Sequence, residues 1–295
     1  MRYSFTAQAH RRKVSSPCAN ESFFHSSSRT EILSKCFADT HGYAMQNIDP
    51  VFILQPLILI GFSVGTVLYW HRREGFSRYV LGFSLLSYGG AIAVKLVFQY
   101  LTAPTFLSIS GGSVWLLGAY FGLQTAVFEV GGAFLVACLA VSRRKMKRRD
   151  GVAYGLWLAF WENAVLISGT SVVSLLYYFF AISQGGPAAQ SLFSLLSNAQ
   201  PQLFYPPLEA LEIVAWGLLE RVSSLMVHLS WGYLCVKSAA SHRKRYFLLA
   251  FPMGLIDFLV PFARIMPLPL FELVLFMLAA FCILATVYAT RTLRK

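Results

Sequence analysis

Apolar residues gather along this chain into seven long stretches, roughly Val51–Trp70, Tyr79–Leu101, Val114–Val141, Val152–Ile182, Leu208–Val236, Tyr246–Met266 and Leu268–Tyr288, divided by mostly short polar loops. The hydrocarbon core of a bilayer is ~30 Å thick and takes about 20 helical residues to cross, so each stretch can span it. Peptide groups in lipid must be bonded within their own segment, which makes each stretch a helix rather than an isolated strand. The pattern predicts an all-α, polytopic membrane bundle of about seven transmembrane helices over residues 46–295. The loops after spans one, three and five are short, so consecutive helices are expected to be antiparallel neighbours. The connection at 183–207 differs. It holds Gly185, Gly186 and Pro187, an apolar run at 192–196, and Pro201, Pro206 and Pro207. That run is too short to cross and predicts an interfacial helix or lid. No internal repeat is visible, which gives an inverted-repeat transporter little support.

Composition agrees with the pattern and charge adds an orientation. A hydrophobic fraction of 56%, 13% charged residues and a mean hydropathy of +0.57 exclude an ordinary soluble domain. The net charge of +12 would suit nucleic acid, but its placement points elsewhere. Sixteen of the 25 Lys and Arg lie in the loops after spans one, three and five and in the C-terminal tail, including Arg143, Arg144, Lys145, Lys147, Arg148 and Arg149. The opposite loops near 102–113, 183–207 and Pro267 hold none. Positive residues resist translocation and favour the anionic inner leaflet. The expectation is a cell-membrane protein with its N-terminus out and its C-terminus cytoplasmic, partnered by membrane lipids and not by nucleic acid.

Residues 1–45 belong to another regime. They are Ser-rich, carry Arg2, Arg11, Arg12, Lys13, Arg29 and Lys35, and lack the apolar run of a signal peptide. A basic tail on the outer side conflicts with the orientation, whereas a chain beginning at Met45 has a short acidic lead. Met45 is therefore expected to be the natural start, and the preceding segment a mis-assigned start or a disordered tail. The five cysteines show no metal spacing and support no disulfide.

Titratable residues inside the spans need a reason, because each costs about 2.5–3.5 kcal/mol on insertion scales. Lys95 lies in span two, Glu129 in three, Glu162 in four, Glu220, Arg221 and His228 in five, and Asp257 and Arg264 in six. At ~1.5 Å rise per residue, Glu129, Glu162, His228 and Asp257 share a band roughly 12–18 Å from the basic side. Arg221 and His228 are seven residues apart and lie on one helix face, with Glu220 flanking it. Lys95 and Arg264 are expected to snorkel or to pair with acids. The four acids either cement the bundle as protonated or ion-paired groups or line a site.

Glu220-Arg221 followed by His228 resembles the Glu-Arg-x6-His helix of the YhfC-type membrane proteins, proposed intramembrane metalloproteases distantly related to the CAAX-processing peptidases. Phe128-Glu129 and the later Tyr154-Gly155-Leu156…Glu162 follow that family's order, as does Asp257-Phe258, so the resemblance covers about 115–262. This chain departs from the pattern at several places. Val130 stands for the second acid of a pair and Ala133 for an Arg. Leu158 stands for a His, Ala159 and Phe160 for glycines, and Met253 for a further His. The resemblance implies a zinc site, and here Glu129, Glu162 and His228 could supply about three protein ligands. Glu220 or Asp257 would be the general base, and Arg221 would steady the oxyanion formed when zinc-bound water attacks a peptide carbonyl. The favoured expectation is a divergent member with a degenerate metal site, acting as a binding or scaffold protein for a membrane-embedded peptide or helix or for lipid. The alternatives are an active intramembrane zinc metallopeptidase, or a proton- or ion-coupled carrier using Glu129, Glu162, Glu220 and Asp257.

Overall fold

The computed structural model describes residues 48–199 and 201–292; the expected lead segment 1–45 and its Met45 start lie outside them. Every element among the described residues is helical. In chain order they are α1 Val51–Glu74, α2 Tyr79–Ser110, α3 Val114–Ser142, α4 Arg148–Gln184, α5 Gly186–Ala199, α6 Pro207–Ser241, α7 Arg245–Arg264 and α8 Leu268–Thr292. The apolar stretches are thus helices, most of them running a few residues beyond their apolar limits. Several of the overruns end where φ turns positive. Gly75 (φ 56°) closes α1 and returns its N–H to the His71 carbonyl. Gly111 (φ 56°) and His242 (φ 54°) end α2 and α6.

The molecule is an all-α membrane helix bundle. Six helices, α1 to α4, α7 and α8, are long and apolar enough to cross a bilayer. The remaining long one, α6, has 35 residues and carries Glu209, Glu212, Glu220, Arg221 and Lys237. It sits at the centre, packed against α1, α3, α4, α7 and α8. Its neighbours present apolar surface outward, and the scarce polar groups turn inward toward it.

Two glycine contacts let the central helices approach closely. Gly155 on α4 lies against Gly232 and Leu229 on α6, and a Cβ on Gly155 would fall 2.7 Å from Leu229 Cα. Gly254 on α7 lies against Ala126 on α3, where a Cβ would fall 2.6 Å from Ala126 Cα. Small residues at such crossings are the usual means of packing helices in lipid, where no hydrophobic force drives them together.

Three helices change their winding. In α3 the turn Thr125–Val130 widens to a π-helix, and in α4 the segment Trp161–Gly169 does the same. In α7 the segment Phe251–Arg264 tightens to a 3₁₀-helix. Pro252 and Pro261 lack the N–H that a regular helix would use there. A 3₁₀-helix rises about 2.0 Å per residue against ~1.5 Å for an α-helix, so this 20-residue element reaches further than its length suggests.

The short apolar run at 192–196 forms part of α5. Leu192 and Leu196, with Leu203 and Phe204, pack on Ile48, Phe52, Leu175, Tyr178, Ala210 and Val214 at one end of α1, α4 and α6. Lys237 is not a loop residue: it is buried near the end of α6, 4.4 Å from the Tyr246 ring centroid, and donates to the Thr290 carbonyl.

Candidate functional site

Four of the titratable residues picked from the sequence, Glu129, Glu162, His228 and Asp257, are buried, and all four face the interior of the bundle. They belong to one continuous polar chain. At one end Lys95 of α2 places its ammonium 2.5 Å from Glu129 Oε1, 2.7 Å from Thr125 Oγ1 and 3.6 Å from Asp257 Oδ2. Thr125 in turn donates to Asp257 Oδ2 at 2.6 Å. Glu129 then reaches His228 with its other oxygen, Oε2 lying 4.0 Å from Nε2. His228 Nε2 is 3.1 Å from Glu162 Oε2. Beyond it, Arg221 Nη1 donates to Glu162 Oε1 at 3.2 Å and Nη2 to Glu220. Asp257 and Glu220 therefore sit on opposite flanks, with Glu129, His228 and Glu162 between them.

Local winding explains why these groups meet. Glu129 lies in the π turn of α3, and Glu162 opens the π segment of α4. An extra residue in a turn re-aims the side chains around it, and such bulges frequently mark functional positions. The ring of His228 is fixed by its own helix. Nδ1 lies 2.9 Å from the Ser224 carbonyl, an oxygen that can only accept, so Nδ1 carries the proton. Ser224 Oγ donates to Glu162 Oε2 at 3.1 Å, and Trp231 packs on the imidazole with ring centroids 4.4 Å apart. Nε2 makes no hydrogen bond despite its 3.1 Å approach to Glu162, because the direction of approach is poor for one.

Of the four positions at which the resemblance implies an apolar residue in place of a polar one, Val130 and Ala133 lie on α3, Leu158 on α4 and Met253 on α7. All four are buried, and all belong to one apolar cluster with Val227, Trp231 and Leu234 of α6. The Ala133 carbonyl there accepts a hydrogen bond from Tyr154 Oη at 3.0 Å. Thus Leu158 and Met253, where the resemblance implies further imidazoles, lie in an apolar cluster with Val227 and Trp231, which flank His228 along α6.

The described residues do not fit the zinc that the resemblance implies. Among the described residues no group of three or more His, Cys, Asp or Glu is arranged to hold a metal ion. Glu129, Glu162 and His228 are neighbours, but Glu129 is held by Lys95 and Glu162 by Arg221. A single imidazole and two carboxylates already matched to internal cations form a poor zinc donor set.

Sequence reasoning left out several residues of this constellation. Thr125, Ser224 and Asn163, whose Nδ2 donates to the Arg221 carbonyl at 3.2 Å, carry no signal that sets them apart from other small polar residues in a span. Glu272 is another matter: an acid one turn into an apolar stretch is visible in the sequence, and it is buried on α8 with Oε2 making no hydrogen bond.

Comparison with known proteins places this geometry in a family. A family model described as YhfC intramembrane metalloprotease matches residues 57–264. A relative from Bacillus subtilis (strain 168), named uncharacterized membrane protein YhfC, is 28% identical over 202 residues, which cover 63% of this chain and 72% of that protein. No solved structure matches the chain. The matched residues take in the central ion pairs, His228 and, from the apolar cluster, Val130, Ala133, Leu158 and Met253, and this multi-pass integral membrane protein belongs to the YhfC family.

Proposed function

We propose that this chain is a binding or scaffold protein of the membrane interior, in which the metallopeptidase centre named for the family has given way to an internally ion-paired core. The reading rests on one observation above the others: Val130, Ala133, Leu158 and Met253 are packed together as apolar core rather than scattered. A centre that had lost one ligand by chance would keep a polar hole, and buried polar groups without partners are costly. Here all four positions are buried in one apolar cluster. The partner would be a membrane-embedded peptide or helix, or lipid, and the proposed orientation keeps the N-terminus outside and the basic loops in the cytoplasm.

Metal analysis of protein purified in detergent after growth with added zinc tests the reading. Wild type and His228→Ala are expected to carry the same substoichiometric trace of metal. Stoichiometric zinc in wild type that disappears in His228→Ala overturns it.

One observation favours the competing reading of a working peptidase. His228 Nε2 lies 3.1 Å from a Glu162 oxygen and 4.0 Å from a Glu129 oxygen without a hydrogen bond, and one imidazole beside two carboxylates is a grouping that a shared cation would satisfy. Cleavage of a membrane-embedded model peptide that depends on Glu162 would establish that reading.

A further inference from the structure

We infer that Lys95 is a built-in counter-ion, the chain's own replacement for an external cation at Glu129 and Asp257. The inference deepens the proposed function and rests on it.

The ammonium group is unusually well received. Lys has three donor hydrogens and no acceptor. Nζ faces three oxygens supplied by α3 and α7: Glu129 Oε1, Thr125 Oγ1 and Asp257 Oδ2. The same Asp257 oxygen takes the Thr125 hydroxyl, so the acceptors are tied to one another before Lys95 arrives. This is the arrangement expected around a small, hard cation, and a Lys head is a compact point charge on a flexible stem. Lys95 also comes from the middle of α2, where a lysine near a helix end would have reached water instead.

A second observation comes from the other side of Glu129. His228 Nε2 is buried, lies 4.0 Å from Glu129 Oε2 and 3.1 Å from Glu162 Oε2, and makes no hydrogen bond to either. A cation that Glu129 took up once released from Lys95 would therefore meet this nitrogen beside Glu162, an acid that Arg221 already balances. With the ammonium in place Glu129 is neutralised from within; without it, Glu129, Asp257 and His228 would be two acids and an imidazole in a dry interior. A pair broken by removing one partner leaves an uncompensated buried charge. The vacated site would then take a divalent cation from solution.

The test compares wild type, Lys95→Arg, Lys95→Ala and Lys95→Ala/Glu129→Gln in detergent, with zinc chloride alone as the probe. Calorimetric titration and thermal unfolding are the readouts. Wild type and Lys95→Arg are expected to bind no zinc and to unfold at the same temperature with and without it. Lys95→Ala is expected to bind a single zinc ion and to gain thermal stability that rises with zinc concentration. Adding Glu129→Gln is expected to abolish both effects. Folded Lys95→Ala that binds no zinc overturns the inference and leaves the proposed function intact. Stoichiometric, His228-dependent zinc in wild type overturns both. Should Lys95→Ala fail to fold, Lys95→Gln takes its place with the same expectation; a Lys95→Gln protein indifferent to zinc overturns the inference.

Discussion

Arg221 is the residue on which most of the buried charge turns. It is buried between Glu162 on α4 and its own neighbour Glu220, and its backbone carbonyl accepts from Asn163. Removing one partner of a buried pair costs about 3–5 kcal/mol, whereas removing both together often costs little. Arg221→Met is therefore expected to destabilise the protein by about 3–5 kcal/mol, and Arg221→Met/Glu162→Gln to recover much of that loss, as read by reversible unfolding in mixed micelles. No recovery in the double variant would place the value of Arg221 elsewhere than in this pair. Much of this was legible in the sequence. The spacing of Arg221 and His228 put both on one face, and the common depth of Glu129, Glu162, His228 and Asp257 pointed to a shared interior. The partners were not legible. Nothing in the sequence says that Lys95 chooses Glu129, 34 residues away, over snorkelling, because that depends on which face α2 presents. Lys237 read as a loop cation because it stands next to the basic cluster, yet Tyr233 and Tyr246 enclose it.

At the scale of elements, the close crossings hold the site together. Gly155 and Gly232 bring α4 and α6 into backbone contact, one turn from His228. Gly155→Leu must push α6 away and is expected to cost at least about 1–3 kcal/mol, the usual penalty of overpacking. Gly65 on α1 has open space around it, so Gly65→Leu serves as the control and is expected to change stability by no more than about 0.5 kcal/mol. Equal effects in thermal unfolding would mean that the crossing is not tight. The π and 3₁₀ segments explain why sequence periodicity stopped short of the site. A period of 3.6 carried through α3 and α4 misplaces every residue beyond the widened turns, and these are the turns that hold Glu129 and Glu162. Pro252 and Pro261 accompany the change of winding in α7, but Pro56 and Pro104 sit in helices that keep theirs, so proline alone does not mark it.

Across the whole molecule, the orientation proposed from charge asymmetry is one that labelling can check. A single cysteine in place of Lys147 is expected to react with an impermeant maleimide only from the cytoplasmic face, and one in place of Gly112 only from outside. The reverse pattern would invert the bundle. The apolar stretches alone were enough to lay out this architecture, since length and hydropathy are all that a lipid-facing helix must satisfy. The central helix obeys a different requirement. Six helices are apolar enough to enter a bilayer on their own terms, but α6 carries Glu220, Arg221 and His228 along its middle. Its residence in lipid is secured by groups on other helices, Glu162 first among them. During synthesis α4 is complete before α6 emerges, so the acid that receives Arg221 is already waiting. If α6 depends on that acid to enter the membrane, a chain terminated and released after Ser241 is expected to lose the integration of its last helix, but not of its earlier ones, when Glu162 is replaced by an uncharged residue.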